Sequence, residues 1–215
     1  MLYPMDNNHL TETRFSNLEL SNAILQSLKE AGFHQCTPIQ DKTLPLALRG
    51  VDVAGQAQTG TGKTAAFLLA TFQYLINAAE DTDDEEDYDD YDSEDSVETI
   101  QADLSVVQPT KDKTIQYPRA IILAPTRELA IQIHKDALLL SKRLDLTFAL
   151  IYGGTDYQKQ LTKIKTNVDI IIGTPGRIID FYRQNAFTLN HVQVMVLDEA
   201  DRMFDLGFIK DIRFL

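Results

Sequence analysis

The residues most able to do chemistry lie in Gly55-Gln56-Ala57-Gln58-Thr59-Gly60-Thr61-Gly62-Lys63-Thr64. Gly60 and Gly62 let a backbone close around an anion, so that successive N–H groups face phosphate oxygens. Lys63 brings a point positive charge to the outer phosphates, and the Thr64 hydroxyl is a hard ligand suited to Mg²⁺. The common pattern G-x-x-x-x-G-K-[ST] has a glycine where this chain carries Ala57. Alanine excludes a strongly left-handed backbone at that point but still permits a phosphate cradle. A chance glycine-rich turn is the bland alternative. The flanks argue against it: apolar Val51-Asp52-Val53-Ala54 reads as a strand, and Ala65 to Ala70 opens a helix.

A second acidic site stands far downstream. Val192 to Leu197 reads as a buried strand ending in Asp198-Glu199-Ala200-Asp201. Carboxylates at the carboxyl end of a parallel strand lie where such sheets place ligands. Asp198 is suited to hold Mg²⁺ opposite Thr64, in part through water, and Glu199 to orient the water that attacks a terminal phosphate. Lys63, Asp198 and Glu199 are therefore the candidate catalytic set, with Thr64 and Asp198 as metal ligands. Four acidic-rich residues alone usually just begin a solvated helix. With a phosphate loop upstream, they point to a nucleotide hydrolase.

The elements that must position these groups alternate. Leu18, Leu20, Ile24, Leu25 and Leu28 recur at helical spacing over Asn17–Ala31, and Gly32 marks a stop. Pro38 begins a second helix ending before Gly50, which Pro45 is expected to kink or divide. The phosphate-loop helix is expected to reach about Ala79. After Pro118 come strands at 119–124, 147–152, 168–172 and 192–197, separated by helices at 126–143, 154–165 and 175–184. Counting the strand before the phosphate loop, five βα units predict an α/β domain with a mainly parallel sheet over residues 15–215. Residues 1–14 read as a loose leader.

Composition bounds the rest. The chain has 215 residues and a net charge of −12, which looks wrong for a nucleic-acid binder until it is located. Residues 80–95 hold 12 acidic side chains and no basic one, and the remainder is neutral, with 20 of each sign. Such a run repels itself and buries nothing, so about 80–117 reads as an acidic, disordered insertion. A solvated loop is the plain interpretation; an arm competing with RNA for a basic groove is the sharper one. Cys36 is the only cysteine, which excludes a disulfide framework and fits a reducing, cytoplasmic compartment. No apolar run approaches a membrane span. His9, His34, His134 and His191 have no metal-ligand spacing.

The chain resembles the DEAD-box ATP-dependent RNA helicases through Ala57-Gln58-Thr59-Gly60-Thr61-Gly62-Lys63-Thr64 and Asp198-Glu199-Ala200-Asp201. Phosphate loops of that family begin with alanine, so Ala57 is its own form. Other motifs occur in family order: Gly32-Phe33 with Thr37-Pro38-Ile39-Gln40, then Pro125-Thr126-Arg127-Glu128-Leu129-Ala130, Gly153-Gly154, and Thr174-Pro175-Gly176-Arg177. Within the family, the text around Val53–Gln58 and 202–213 is most similar to a bacterial branch associated with the RNA degradosome. The likeness covers about residues 10–79 and 117–215.

The resemblance implies a RecA-like phosphate-loop NTPase domain that binds ATP and Mg²⁺. It implies that Gln40 reads the adenine edge and that Phe15 stacks on the base, an ordinary core aromatic being the alternative for Phe15. It implies RNA contacts from Pro125, Thr126, Arg127, Gly153, Gly154, Thr174, Pro175, Gly176 and Arg177. Thr126, Gly154 and Gly176 stand near helix starts, where free N–H groups favour phosphate. Arg127 and Arg177 add charge, pairing with a neighbouring carboxylate being the alternative for each. Such contacts grip a backbone without reading bases. The implied activity is unwinding of short duplexes in RNA degradation, with degradosome proteins as partners.

The family's Ser-Ala-Thr motif does not occur before Leu215, so the domain is expected to be C-terminally truncated and to lack the second RecA-like domain. The strand bearing that motif would lie between the phosphate-loop strand and the Asp198 strand. Its loss is expected to leave a gap, marginal stability and weak nucleotide binding with little RNA-stimulated hydrolysis. The alternative is a nucleotide- or partner-binding module without helicase activity. A different phosphate-loop enzyme, a kinase or DNA translocase, is disfavoured by Thr37-Pro38-Ile39-Gln40.

Overall fold

A computed structural model describes residues 10–58, 60–83, 116–164 and 166–215. A short 3₁₀ turn at Phe15–Asn17 precedes α1 (Asn22–Glu30), α2 (Pro38–Ala47) and α3 (Lys63–Asp83). Then β1 (Ala120–Leu123), α4 (Arg127–Leu140), β2 (Phe148–Ile151), α5 (Tyr157–Ile164), β3 (Ile170–Gly173), α6 (Pro175–Arg183) and β4 (Val194–Leu197) alternate. Two short helices, α7 (Ala200–Asp205) and α8 (Ile209–Phe214), follow.

Four strands form one parallel sheet in the order β2-β3-β1-β4. The inner strands explain their own sequences. Every residue of Ala120–Leu123 and Ile170–Gly173 is buried, because helices cover both faces. Ile122, Ile170 and Ile172 pack with Leu68, Leu69 and Phe72 of α3 and Ile133 of α4. Ile121, Leu123 and Ile171 pack on the other face with Ile178, Phe181 and Met203. Each fully buried aliphatic side chain contributes about 1.5–3 kcal/mol. Gly173 is required by close approach: a Cβ there would stand 2.0 Å from the Ile151 carbonyl oxygen.

The lower rim is tied by one ion pair. Arg119 donates to Asp169 Oδ1 at 3.1 Å and to the Leu75 carbonyl at 2.9 Å. Asp169 Oδ2 accepts from the Thr147 N–H at 2.8 Å. One carboxylate thus joins the starts of β1, β2 and β3 and reaches α3 through Arg119.

Three expectations need correction. Pro45 does not divide α2, which runs unbroken from Pro38 to Ala47. Proline removes only one donor, and the turn beyond it still closes through Leu48 N–H to Leu44 O at 2.9 Å. The first helical span, expected at Asn17–Ala31, begins only at Asn22, where the Ser21 hydroxyl accepts from the Ile24 N–H. Most consequential, Val51–Ala54 is not a strand, so four strands replace the expected five. Val51 and Val53 are 51% and 38% exposed. No described strand lies beside them, and four residues without a ladder partner cannot satisfy their backbone as a strand.

The described part of the expected leader is held in place. Thr11 N–H donates to the Cys36 carbonyl, Cys36 N–H to Thr13, and Arg14 bridges Gln35 antiparallel. At the other expected break, Gln116 bridges Phe187. Helix α3 extends past Ala79 to Asp83, and the insertion from 84 to 115 lies outside the described residues.

Candidate functional site

The phosphate loop rests on α2. Thr37 and Gln40 are buried at the start of that helix, where the Gln40 Oε1 accepts from the Thr37 N–H at 2.9 Å. The other end of the Gln40 amide donates to the Gly62 carbonyl at 3.0 Å. Gly62 has φ +90°, and a Cβ on it would come within 2.5 Å of Gln40 Nε2 and 3.0 Å of Thr37 Oγ1. Glycine is therefore demanded twice, by conformation and by space. Gly60 also has positive φ, whereas Ala57 does not. That agrees with an alanine-bearing loop. Thr59 lies outside the described residues.

Lys63 and Thr64 begin α3, at the positive end of the helix dipole. Lys63 Nζ donates to the Ala57 carbonyl across the loop, and Thr61 Oγ1 donates to the Gln58 carbonyl at 2.7 Å. Ala57, Gln58, Gly60, Thr61 and Gly62 thus form a closed turn.

Asp198 and Glu199 follow β4. Asp198 is 8% exposed, and its Oδ1 accepts from the Glu199 N–H at 3.0 Å. Burial pushes its carboxyl above the ordinary range, and the Glu199 charge adds to this; the Lys63 ammonium and the Glu199 N–H pull it back. Glu199 stands in left-handed backbone (φ 52°) and accepts from Arg202 at 3.2 Å. A non-glycine residue there stores strain of the kind found at functional positions. A cavity of about 1120 Å³ separates β4 from residues 51–58, and Lys63, Asp198 and Glu199 all line it.

The donor set fits a nucleotide with a hard divalent cation. Thr37 Oγ1 is buried without a partner among the described residues, packed close against Gly62 of the loop. Asp198 and Thr64 offer oxygen ligands only, and a cation would relieve the buried Asp198 charge. Among the described residues no group of three metal-ligating side chains occurs.

The remaining candidate residues fall into two classes. Phe15 is 2% exposed and packs in the core cluster beneath α1 and α3, so its ring faces protein on this side of the site. Gln40 likewise spends both ends of its amide on Thr37 and Gly62. In contrast, Thr126 and Gly153-Gly154 lie in the loops leaving β1 and β2, and Thr174 ends the loop leaving β3 with Pro175-Gly176 opening α6, on the same rim as Asp198 after β4. Thr126 caps α4, its Oγ1 accepting from the Leu129 N–H, and Pro125 precedes it. Thr174 precedes α6, with Pro175 in its first turn. A Cβ at Gly153, Gly154 or Gly176 would meet nothing within 4 Å, so these backbones are open to a ligand.

Neither arginine of this rim pairs with a carboxylate among the described residues. Arg127 lies 4.8 Å over the Tyr152 ring, and Arg177 lies 5.4 Å from the centre of the Tyr157 ring. These tyrosines were not legible as functional from motif spacing. Their signal is only that they bracket Gly153-Gly154.

Residues 37–215 match the family model described as DEAD/DEAH box helicase. The chain belongs to the DEAD/DEAH box helicase family. It is 54% identical over 211 residues to the ATP-dependent RNA helicase RhlB of Pseudoalteromonas atlantica, covering 98% of this chain and 42% of that protein. To the RhlB protein of Pasteurella multocida it is 52% identical, covering 98% of this chain and 43% of the relative. A crystal structure of a DEAD box protein from Methanococcus jannaschii superposes with a TM-score of 0.69 at 33% identity, over 93% of this chain and 45% of that one. The architecture is the α/β RecA-like domain of this family. The chain spans less than half the length of these relatives.

Proposed function

We propose that this chain is the ATP-binding domain of a DEAD-box RNA helicase that separates short duplexes by gripping one strand along its backbone. One observation carries the reading: Lys63, Asp198 and Glu199 share a single cavity, and the three loops after β1, β2 and β3 continue the same rim. A nucleotide bound at the loop would meet the Lys63 charge and the N-terminus of α3. Thr64 and Asp198 would hold Mg²⁺, which when bound neutralises charge on the outer phosphates. Glu199 orients a water and accepts its proton. Gln40 serves the adenine side and, through its bond to the Gly62 carbonyl, holds that glycine in the conformation the phosphates need, whereas the buried Phe15 packs in the core beneath α1 and α3. Thr126, Gly154 and Gly176 present N–H groups to RNA phosphates, with Arg127 and Arg177 adding charge. Contacts of that type carry no sequence code.

Names of the relatives support the helicase assignment, and the degradosome-type resemblance supports a place in cytoplasmic RNA degradation. Among the described residues no helix is long and apolar enough to cross a membrane. The test is nucleotide binding with and without Mg²⁺. Adenine over guanine preference, lost in Gln40→Ala, supports the reading; equal binding of both bases overturns it.

A further inference from the structure

Gln160 lies on α5, outside every motif considered above, and is only 7% exposed. Its side chain is spent entirely on the loop after β2. Oε1 accepts from the Tyr152 N–H at 2.9 Å, and Nε2 donates to the Tyr152 carbonyl at 3.0 Å. The same Nε2 donates to Thr155 Oγ1, which in turn donates to the Tyr152 carbonyl at 3.4 Å. One amide thus satisfies both backbone groups of one residue, as a neighbouring strand would. A buried glutamine whose bonds are all local to Tyr152–Thr155 fixes that segment far more tightly than a solvated loop.

What the segment carries gives the clamp a purpose. The Tyr152 ring supports Arg127 from the first turn of α4. At the other end, Tyr157 stacks on Phe181 with centroids 4.5 Å apart and supports Arg177 from α6. A guanidinium whose face lies on an aromatic ring keeps its N–H edge for an anion. Among the described residues neither guanidinium donates a hydrogen bond, so within that part of the chain both keep their edges for an anion. The loop after β2 and the start of α5 thus touch the first turns of both α4 and α6, and Gln160 closes that loop.

We propose that Gln160 is a positioning residue for RNA: it fixes Tyr152, and through it Arg127, at the spacing from Gly154 and Arg177 that a nucleic-acid backbone requires. The inference rests on the reading of these loops as RNA-binding. It acts on RNA affinity and not on the nucleotide cavity, which lies beyond β1 and β4.

The experiment is fluorescence-anisotropy titration of a labelled 12-nucleotide oligouridylate with the full chain at several salt concentrations. Gln160→Leu is expected to weaken RNA binding at least 10-fold and to flatten the salt dependence by about one phosphate contact, with adenine nucleotide affinity within twofold. Arg127→Ala is expected to cost several-fold in the wild-type background and less than twofold in Gln160→Leu, because the arginine has already lost its seat. Tyr152→Leu keeps the backbone clamp and removes the ring, so it is expected to match Arg127→Ala whether or not Gln160→Leu folds. Failure of wild type to bind, or indifference to both Arg127→Ala and Arg177→Ala, would overturn the RNA reading itself. If the arginines matter but Tyr152→Leu binds like wild type, or a folded Gln160→Leu binds like wild type, the positioning role is overturned alone.

Discussion

The Gln40 side-chain amide donates to the Gly62 carbonyl at 3.0 Å and so couples the first turn of α2 to the phosphate loop, 22 residues downstream. A residue expected to face adenine is thereby also the support of the loop that holds phosphate. The base side and the phosphate side of the site are not independent.

Gly62→Ala tests that coupling. The new methyl would stand 2.5 Å from Gln40 Nε2 on a backbone with φ +90°. Either Gln40 leaves or the loop opens, so adenine nucleotide affinity should fall more than 10-fold by calorimetry. Strain of this type costs about 1–3 kcal/mol, which should also lower the thermal midpoint. Wild-type affinity in a folded variant would show that the contact is incidental.

Asp198→Asn separates stability from chemistry. The Asp198 carboxyl is raised from its ordinary value of 3.8 chiefly by burial, so the fold prefers it protonated. An acid raised in the folded state costs nothing below its unfolded pKa. The cost grows as pH climbs from 3.8 through the folded value and is constant above it. Neutral asparagine should therefore raise the melting temperature at pH 7 and not at pH 3, and should abolish extra stabilisation by Mg²⁺ with nucleotide. Thermal melts across pH decide this; a variant less stable at pH 7 contradicts it.

Asp169→Ala should be destabilising without touching the cavity. It removes the acceptor of Arg119, of the Thr147 N–H and of the Thr147 hydroxyl. Leaving such donors half-buried and unpaired costs about 1–3 kcal/mol, readable as a shift of the urea midpoint. Nucleotide affinity at a temperature where the variant is folded should stay within twofold.

The side of β4 that lines the cavity has no ladder partner among the described residues, and Met195, Val51 and Val53 are exposed around it. Unpaired strand edges recruit other strands. The chain is expected to self-associate in a concentration-dependent way, and Met195→Lys should suppress it. Light scattering checks both, and identical scattering by the two proteins would rule the edge out as the cause.

The sequence made the helices and the four strands of the sheet legible, most clearly the two inner strands, whose pattern is dictated by burial: Ala120–Leu123 and Ile170–Gly173 are apolar throughout and buried throughout. Val51–Ala54 was misread for a physical reason. Its apolar pattern reports what a strand there would bury, whereas forming one needs a hydrogen-bonding neighbour. Pro45 does not break α2, because it stands near the helix end and the turn beyond it still closes from Leu48 to Leu44. Around the site, Lys63, Asp198 and Glu199 were readable because their chemistry dictates residue type. Gln160, Tyr152 and Tyr157 were not, because contacts between β2, α5 and α6 depend on the strand order. Cys36 is a buried core residue whose thiol burial pushes up to about 12 and leaves inert.

The central claim is that the loop from Ala57 to Thr64 and the Asp198-Glu199 pair form one adenine-nucleotide site. Calorimetric titration of Mg-ATP into the chain tests it most directly. Saturable one-to-one binding is expected, weakened at least 10-fold by Lys63→Ala and by replacing ATP with GTP. Absence of saturable heat, or equal heats for GTP and for Lys63→Ala, would contradict it.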